Sequence, residues 1–157
     1  MIEIQAPNEL PLSTNLYKVF LAGSIEMGAA EKWQSKCVDE LREYTGFIFN
    51  PRRDDWDSSW KQTIDDPKFN EQVTWELNAL DLADNIILYF DPNTKSPISL
   101  LELGLHASSD KLIVCCPEGF WRKGNVDIVC KRYNIPCFDS LDQSLDYLKY
   151  QLSGELF

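Results

Sequence analysis

The sequence has one histidine, His106, in 157 residues. That argues against a Ser-His-Asp triad and against a histidine-rich metal site. None of the five cysteines (Cys37, Cys115, Cys116, Cys130 and Cys137) stands in a C-x-x-C pair, so reduced thiols in a cytoplasmic protein are expected. The opening "MIEIQAPNEL" lacks a basic stretch followed by a long apolar one, so no signal peptide is expected. The longest apolar runs are strand-sized, too short to cross a membrane as a helix. Basic residues are few: 15 Lys and Arg stand against 25 Asp and Glu, a formal net charge of −10. Duplex nucleic acid and anionic membrane surfaces need basic patches, so neither is an expected partner. A small anion stays open as a ligand, because a few Arg or backbone N–H groups can bind one phosphate. The complete G-x-G-x-x-G and P-loop patterns are missing, as are internal repeats and low-complexity tracts.

What is present reads as one α/β domain. At 44% hydrophobic the chain can bury a core without a disulfide or metal staple. Residues 1–16 have no period and read as a surface arm, with the domain spanning 17–157. "YKVFLAGS" (17–24), "GFIFNP" (46–51), "NIILYF" (85–90), "KLIVCCP" (111–117) and "IPCF" (135–138) read as strands. Residues 29–44, 67–84, 98–109 and 140–152 have helical spacing, with Pro67 at a helix start and Ser140 as an N-cap. Residues 50–67 and 119–130 read as long loops bearing aromatic and basic side chains. The alternation predicts a single doubly wound domain, Rossmann-like or flavodoxin-like, with a five-stranded parallel sheet. Ligands of such sheets bind outside the carboxyl ends of the strands.

Three strand ends meet at that edge: "LAGSIEMG", "NPRRDDWD" and "FDPNTKSPIS". Just beyond the third, in "SPISLLELGLHA", a lone carboxylate, Glu102, interrupts an apolar run. There a helix N-terminus favours the charged form, and a partly dry carboxylate is a good nucleophile toward a sugar carbon. The plainer alternative is an exposed Glu on a Leu-rich helix. Glu76 and Asp84, eight residues apart in the preceding helix, share roughly one face if that helix holds so far. Paired carboxylates are the usual equipment for cutting a glycosidic bond.

Gly23, Ser24 and Ile25 form a turn that lets backbone N–H groups approach an anion or a sugar. Arg52 and Arg53 can reach a phosphate and Trp56 and Trp60 can stack a base. Equally, the arginines can pair with Asp54, Asp55 and Asp57 while the tryptophans pack the loop down. Cys115 and Cys116 point to opposite faces of a strand and read as core. His106 reads as helix packing.

Together these motifs resemble the nucleoside 2-deoxyribosyltransferase family, over most of the chain from "VFLAGS" onward. The resemblance makes Glu102, in "LLELGL", the nucleophile. It gives Glu76 the place of an assisting acid that is usually Asp, and matches Asp84 to the "A-D" before the third strand. It sets Phe20 where a Tyr often contacts substrate, and Asn125 near an Asn given to a neighbouring subunit's site. Six residues before the nucleophile the transferases carry an Asp that holds the sugar 5′-hydroxyl. Here that residue is Ser96. The related 2′-deoxynucleoside 5′-phosphate N-hydrolases also carry Ser there, with a "G-S-I" segment on the phosphate, matched by Gly23-Ser24-Ile25.

The expected activity is cleavage of an N-glycosidic bond in a (deoxy)nucleoside through a glycosyl-enzyme on Glu102, passing the sugar to another base or to water. No metal or cofactor is expected, and the resemblance implies a homo-oligomer, with Trp121 and Phe157 as exposed aromatics for its interface. Two alternatives stand beside it: a hydrolase of 5′-monophosphates, and a non-catalytic nucleotide-binding or sensor domain.

Overall fold

The computed structural model describes residues 1–25, 32–53 and 55–154. In chain order the elements are β1 (Ile2–Gln5), β2 (Lys18–Gly23), α1 (Trp33–Leu41), β3 (Phe47–Asn50), α2 (Pro67–Leu82) and β4 (Asn85–Tyr89), then α3 (Pro97–His106), β5 (Leu112–Cys115), α4 (Lys123–Tyr133), β6 (Cys137–Phe138) and α5 (Leu141–Ser153). The six strands form one sheet in the order β1-β3-β2-β4-β5-β6, and every pairing is parallel. Without β1 this is the flavodoxin-like order, in which the chain reverses direction across the sheet between β2 and β4.

Helices cover both faces. On one face Trp75 and Ala79 of α2, Leu103 of α3, and Val126 and Cys130 of α4 pack on Phe20, Ile86, Leu88 and Val114. On the other, Trp33, Cys37 and Leu41 of α1, with Leu145 and Leu148 of α5, pack on Val19, Leu21, Ile87 and Ile113. Alternate residues of β2 and β4 thus enter different cores. Strands buried on both faces need continuous apolar runs, and "VFLA" and "NIILY" supply them.

Local chemistry sets the helix that matters most for the site. Asp66 caps α2, its carboxylate accepting from Lys68 N at 3.1 Å and Phe69 N at 3.0 Å, while Pro67 occupies the first turn, where no N–H partner is needed. The buried side of α2 includes Gln72, Trp75 and Ala79, a spacing of three and four. The helix stops at Leu82 because Ala83 is already extended (ψ 141°).

The structure differs from the sequence reading in the number of strands and in one added helix. Six strands replace five, because the arm contains β1, whose four residues pair with β3 from Ile2↔Phe47 to Gln5↔Asn50. The arm beyond it is pinned by Trp75, whose indole donates to Asn8 O at 2.7 Å. Most of residues 119–130, read as loop, belong to α4 (Lys123–Tyr133), which buries Val126 and Cys130 at an i, i+4 spacing and ends at Asn134 in the left-handed conformation. The start of the 29–44 helix, part of "AGSIEMG", Asp54 and Phe157 lie outside the described residues. No helix among the described residues is long and apolar enough to cross a membrane.

Candidate active site

The crevice at the carboxyl edge between β2 and β4 is closed by hydroxyls. Ser24, one residue past β2, is buried and hydrogen-bonds with Ser96 Oγ. Thr94 Oγ1 lies 2.9 Å from Ser24 Oγ and 2.7 Å from Ser96 Oγ, and Asp91 N donates to Ser24 Oγ at 2.9 Å. The β2 end can come this close to β4 because of Gly23 (φ 141°), where a Cβ would stand 2.3 Å from Tyr89 O. Ser96 is the N-cap of α3, yet its side chain makes no capping bond and its backbone is left-handed (φ 48°). A serine in that region costs about 1 kcal/mol or more. The hydroxyl that would cap the helix is turned back to Ser24 and Thr94 instead. Ile25 follows, partly buried.

From this cap, Ser96, Ser99 and Glu102 follow at i, i+3 and i+6, and all three are buried. Glu102 is only 9% exposed. It lies well inside α3, and the helix dipole does not hold it ionised as expected. Burial, reinforced by the charge of Glu76, raises its carboxyl from the usual range to about 8. The dipole acts on the first turn only and is outweighed here. Glu76 is therefore an electrostatic neighbour of Glu102, reached from α2. Its own carboxyl is raised by burial, and this is opposed by a 2.8 Å hydrogen bond from Gln72 Nε2.

The structure brings Glu102 and Glu76 together and does not bring Asp84 to them. The helix ends before Asp84, so the shared face expected with Glu76 does not exist. Asp84 precedes β4 at the amino edge of the sheet, is exposed, and accepts from Lys18 N at 2.8 Å. It ties the starts of β2 and β4. Phe20 is also displaced from the role the resemblance gives it: it lies in mid-strand, is 0% exposed, and packs against Trp75 with ring centroids 6.5 Å apart.

The arginines divide. Arg53 is buried and donates to Asp55 at 2.8 and 2.9 Å, to Gln72 Oε1 at 3.3 Å, and lies over the Trp60 ring at 5.1 Å. Arg52 turns to the α1 side, donating to Gln34 Oε1 at 3.3 Å beside a cavity of about 250 Å³ lined also by Glu3, Gln5, Lys32, Ser35 and Asn50. Trp56 packs on Trp60 at 5.0 Å, and its buried Nε1 has no acceptor among the described residues. Asn125 is exposed in the first turn of α4.

Gln72, Ser99, Thr94 and Asp91 were not singled out from sequence. Gln72 had a signal in principle: it stands one helical turn before Glu76, the spacing of facing side chains. The five cysteines are free thiols, and burial pushes Cys37, Cys115 and Cys116 up to about 12, as inert core thiols should be. His106 is partly buried at the end of α3, where burial lowers its pKa. Among the described residues no cluster of His, Cys, Asp and Glu could hold a metal ion.

A buried and a half-buried glutamate at the strand ends that carry a hydroxyl cluster can form and break an ester at a sugar carbon while moving one proton between them. No curated protein matches the sequence. Residues 16–120, which hold both glutamates and the whole hydroxyl cluster, match the family described as nucleoside 2-deoxyribosyltransferase like, and the chain belongs to that family.

Proposed function

We propose that the protein cleaves the N-glycosidic bond of neutral (deoxy)nucleosides and passes the sugar to a second base or to water. The observation that carries this reading is the pair of carboxylates at the sheet's reversal point, Glu102 buried and Glu76 half-buried, with the charge of Glu76 adding to burial in raising Glu102. Glu102, raised to about 8, therefore holds its proton at neutral pH before substrate arrives. In the first half-reaction that proton moves to Glu76. Glu102 attacks the anomeric carbon, the carbon–nitrogen bond breaks with its electron pair on the base, and Glu76 protonates the departing nitrogen. In the second half the incoming base or water attacks the same carbon, the ester opens, and Glu76 takes the proton that the nucleophile loses.

The neutral substrate is favoured over a 5′-monophosphate by charge. Arg53 is committed to Asp55, Glu71 and Gln72, and Arg52 faces the α1 side. A dianionic phosphate would add repulsion beside two glutamates and Asp91. Sugar hydroxyls, in contrast, can exchange with the bonds among Ser24, Thr94 and Ser96. Base release from deoxynucleosides, with and without an acceptor base, tests the reading. Free base without acceptor indicates hydrolysis, new nucleoside indicates transfer, and neither with any nucleoside or nucleotide leaves the non-catalytic binding domain.

A homo-oligomer belongs to the same proposal. The helix that holds Glu102 on its buried side carries Ile98, Leu101 and Leu105 on its outer side, 57–60% exposed, at a spacing of three and four. Trp121, just before α4, and Ile128 on α4 are exposed as well.

A further inference from the structure

We propose that Gln72 is the positioning residue of the carboxylate pair, and that Arg53 serves to lock Gln72 rather than to bind substrate. The inference rests on the reading of Glu76 and Glu102 as the reacting pair.

Gln72 is 2% exposed, on the inner side of α2. Its amide nitrogen makes two hydrogen bonds, one to Pro51 O at 2.9 Å and one to Glu76 Oε1 at 2.8 Å. Its amide oxygen accepts from Arg53 Nη1 at 3.3 Å. An amide can flip, and a flipped Gln72 would turn its oxygen toward the Glu76 carboxylate and repel it. Arg53 prevents this: a guanidinium has only donors, so it accepts only the orientation that leaves N–H for Glu76. Pro51 O, an acceptor only, selects the same orientation from the other side.

Arg53 is itself held from three directions. Asp55 takes two of its N–H groups, Glu71 stands 3.7 Å from Nη1, and Trp60 covers the guanidinium face. The side chain is 3% exposed, so little of it remains for a ligand. The chain of contacts runs from the 51–66 loop through Arg53 and Gln72 to Glu76, and thence by charge to Glu102. Its effect is to keep Glu76 in one rotamer and to favour its carboxylate form, so that the shared proton rests on Glu102 before substrate arrives. Among the described residues, Glu102 from α3 interacts with Glu76 by charge, and Arg53 from the loop, paired with Asp55 and Glu71, stands behind Gln72.

The test uses the full chain and three variants. Gln72→Met removes the amide and keeps the bulk. Gln72→Glu keeps shape and an acceptor for Arg53, yet cannot donate to Glu76. Arg53→Lys removes the fork. Positioning predicts that both Gln72 variants lose about tenfold to a hundredfold in kcat with little change in KM, and that the lower limb of the pH profile moves up. Arg53→Lys should give a smaller loss of the same kind, and Gln72→Met/Arg53→Lys should be no worse than Gln72→Met. A rise in KM for Arg53→Lys at unchanged kcat would mean that Arg53 binds substrate, and would overturn the proposal. So would an unshifted pH profile in Gln72 variants that turn over normally. Titration of the Glu76 carboxyl by carbon-13 NMR decides the point without turnover: its midpoint should rise in folded Gln72→Met, and an unchanged midpoint refutes the role. If the wild type releases no base, the proposed activity fails, while this titration still judges Gln72.

Discussion

Glu76 reaches Glu102 from a different helix, and its charge adds to burial in raising the Glu102 carboxyl to about 8. An isolated buried acid would simply stay neutral. Two acids sharing one proton can exchange it, and that exchange makes one a nucleophile as the other becomes an acid.

Glu102→Gln should abolish base release, by several orders of magnitude in kcat, with KM or ligand affinity largely kept. The amide preserves size and burial, so circular dichroism should show an unchanged fold. Residual turnover within tenfold of wild type would rule Glu102 out as nucleophile.

The same variant should be more stable than wild type near neutrality. Glu102 is raised from the ordinary carboxylate range, so the unfolded chain loses this proton first as pH rises. Between about pH 4.5 and 8 the folded state binds more protons than the unfolded one, and stability falls with pH across that window. The stabilising contribution is whole below about 4.5 and gone above about 8. Removing the titration should therefore raise Tm by several degrees at pH 7, a gain of about 3 kcal/mol at most, vanishing near pH 4.5. Thermal melts of both proteins at pH 4.5, 6, 7 and 8.5 measure it. A constant difference across that range would contradict the shift.

Much of the architecture was legible because it rests on repetition. The central strands are continuous apolar runs, and Pro67 and Ser140 mark real helix starts. What escaped rests on context. β1 has only four residues at a sheet edge, with Ile2 65% exposed, so burial leaves little pattern in it. The inner face of α4 is confined to Val126, Val129 and Cys130 among polar residues and Gly124. Within the site, Glu102, Glu76, Ser24 and Ser96 stood out because a polar residue in an apolar or strand-end setting is conspicuous. Gln72 did not, since a glutamine on a helix carries no mark until its neighbours are known. Asp84 was misplaced by a helix assumed two residues too long, which sent it to the wrong edge of the sheet.

Asp84→Asn should consequently leave kcat and KM near wild type. It should lower stability by about 1 kcal/mol, because a charged acceptor on Lys18 N is weakened at the junction of β2 and β4. Steady-state kinetics and a denaturant titration separate the two effects. A hundredfold loss in kcat would return Asp84 to the catalytic group.

Leu101→Glu should dissociate the proposed oligomer. Leu101 is 58% exposed, between Ile98 and Leu105 on the outer side of α3, and its side chain supports nothing inside the subunit. A charge there costs little in the monomer and much in an apolar interface. Light scattering should show the wild type as a multimer and the variant as smaller, with activity reduced if Asn125 completes a neighbour's site. A wild type that is monomeric and fully active would refute both points.

Ser96→Asp tests how the 5′ end of the sugar is read. Ser96 is 3% exposed, and Ser24 and Thr94 hydroxyls surround its Oγ. These can donate to an added carboxylate, so the variant should fold. If the substrate is a neutral nucleoside, the carboxylate gains a hydrogen bond from the 5′-hydroxyl, and kcat/KM should hold or rise. If the substrate is a 5′-monophosphate, the carboxylate replaces a donor with a like charge. A lost charge-assisted hydrogen bond is worth about 1.5–3 kcal/mol, so kcat/KM for the phosphate should fall about tenfold to a hundredfold or more. The measurement is the ratio of kcat/KM for a deoxynucleoside and its 5′-monophosphate, in wild type and variant. A wild-type ratio already favouring the nucleoside agrees with Arg53 being committed to Asp55 and Gln72 and Arg52 lying beside Gln34. A wild type that prefers the monophosphate, and loses that preference in Ser96→Asp, would transfer the assignment to the phosphate hydrolase reading.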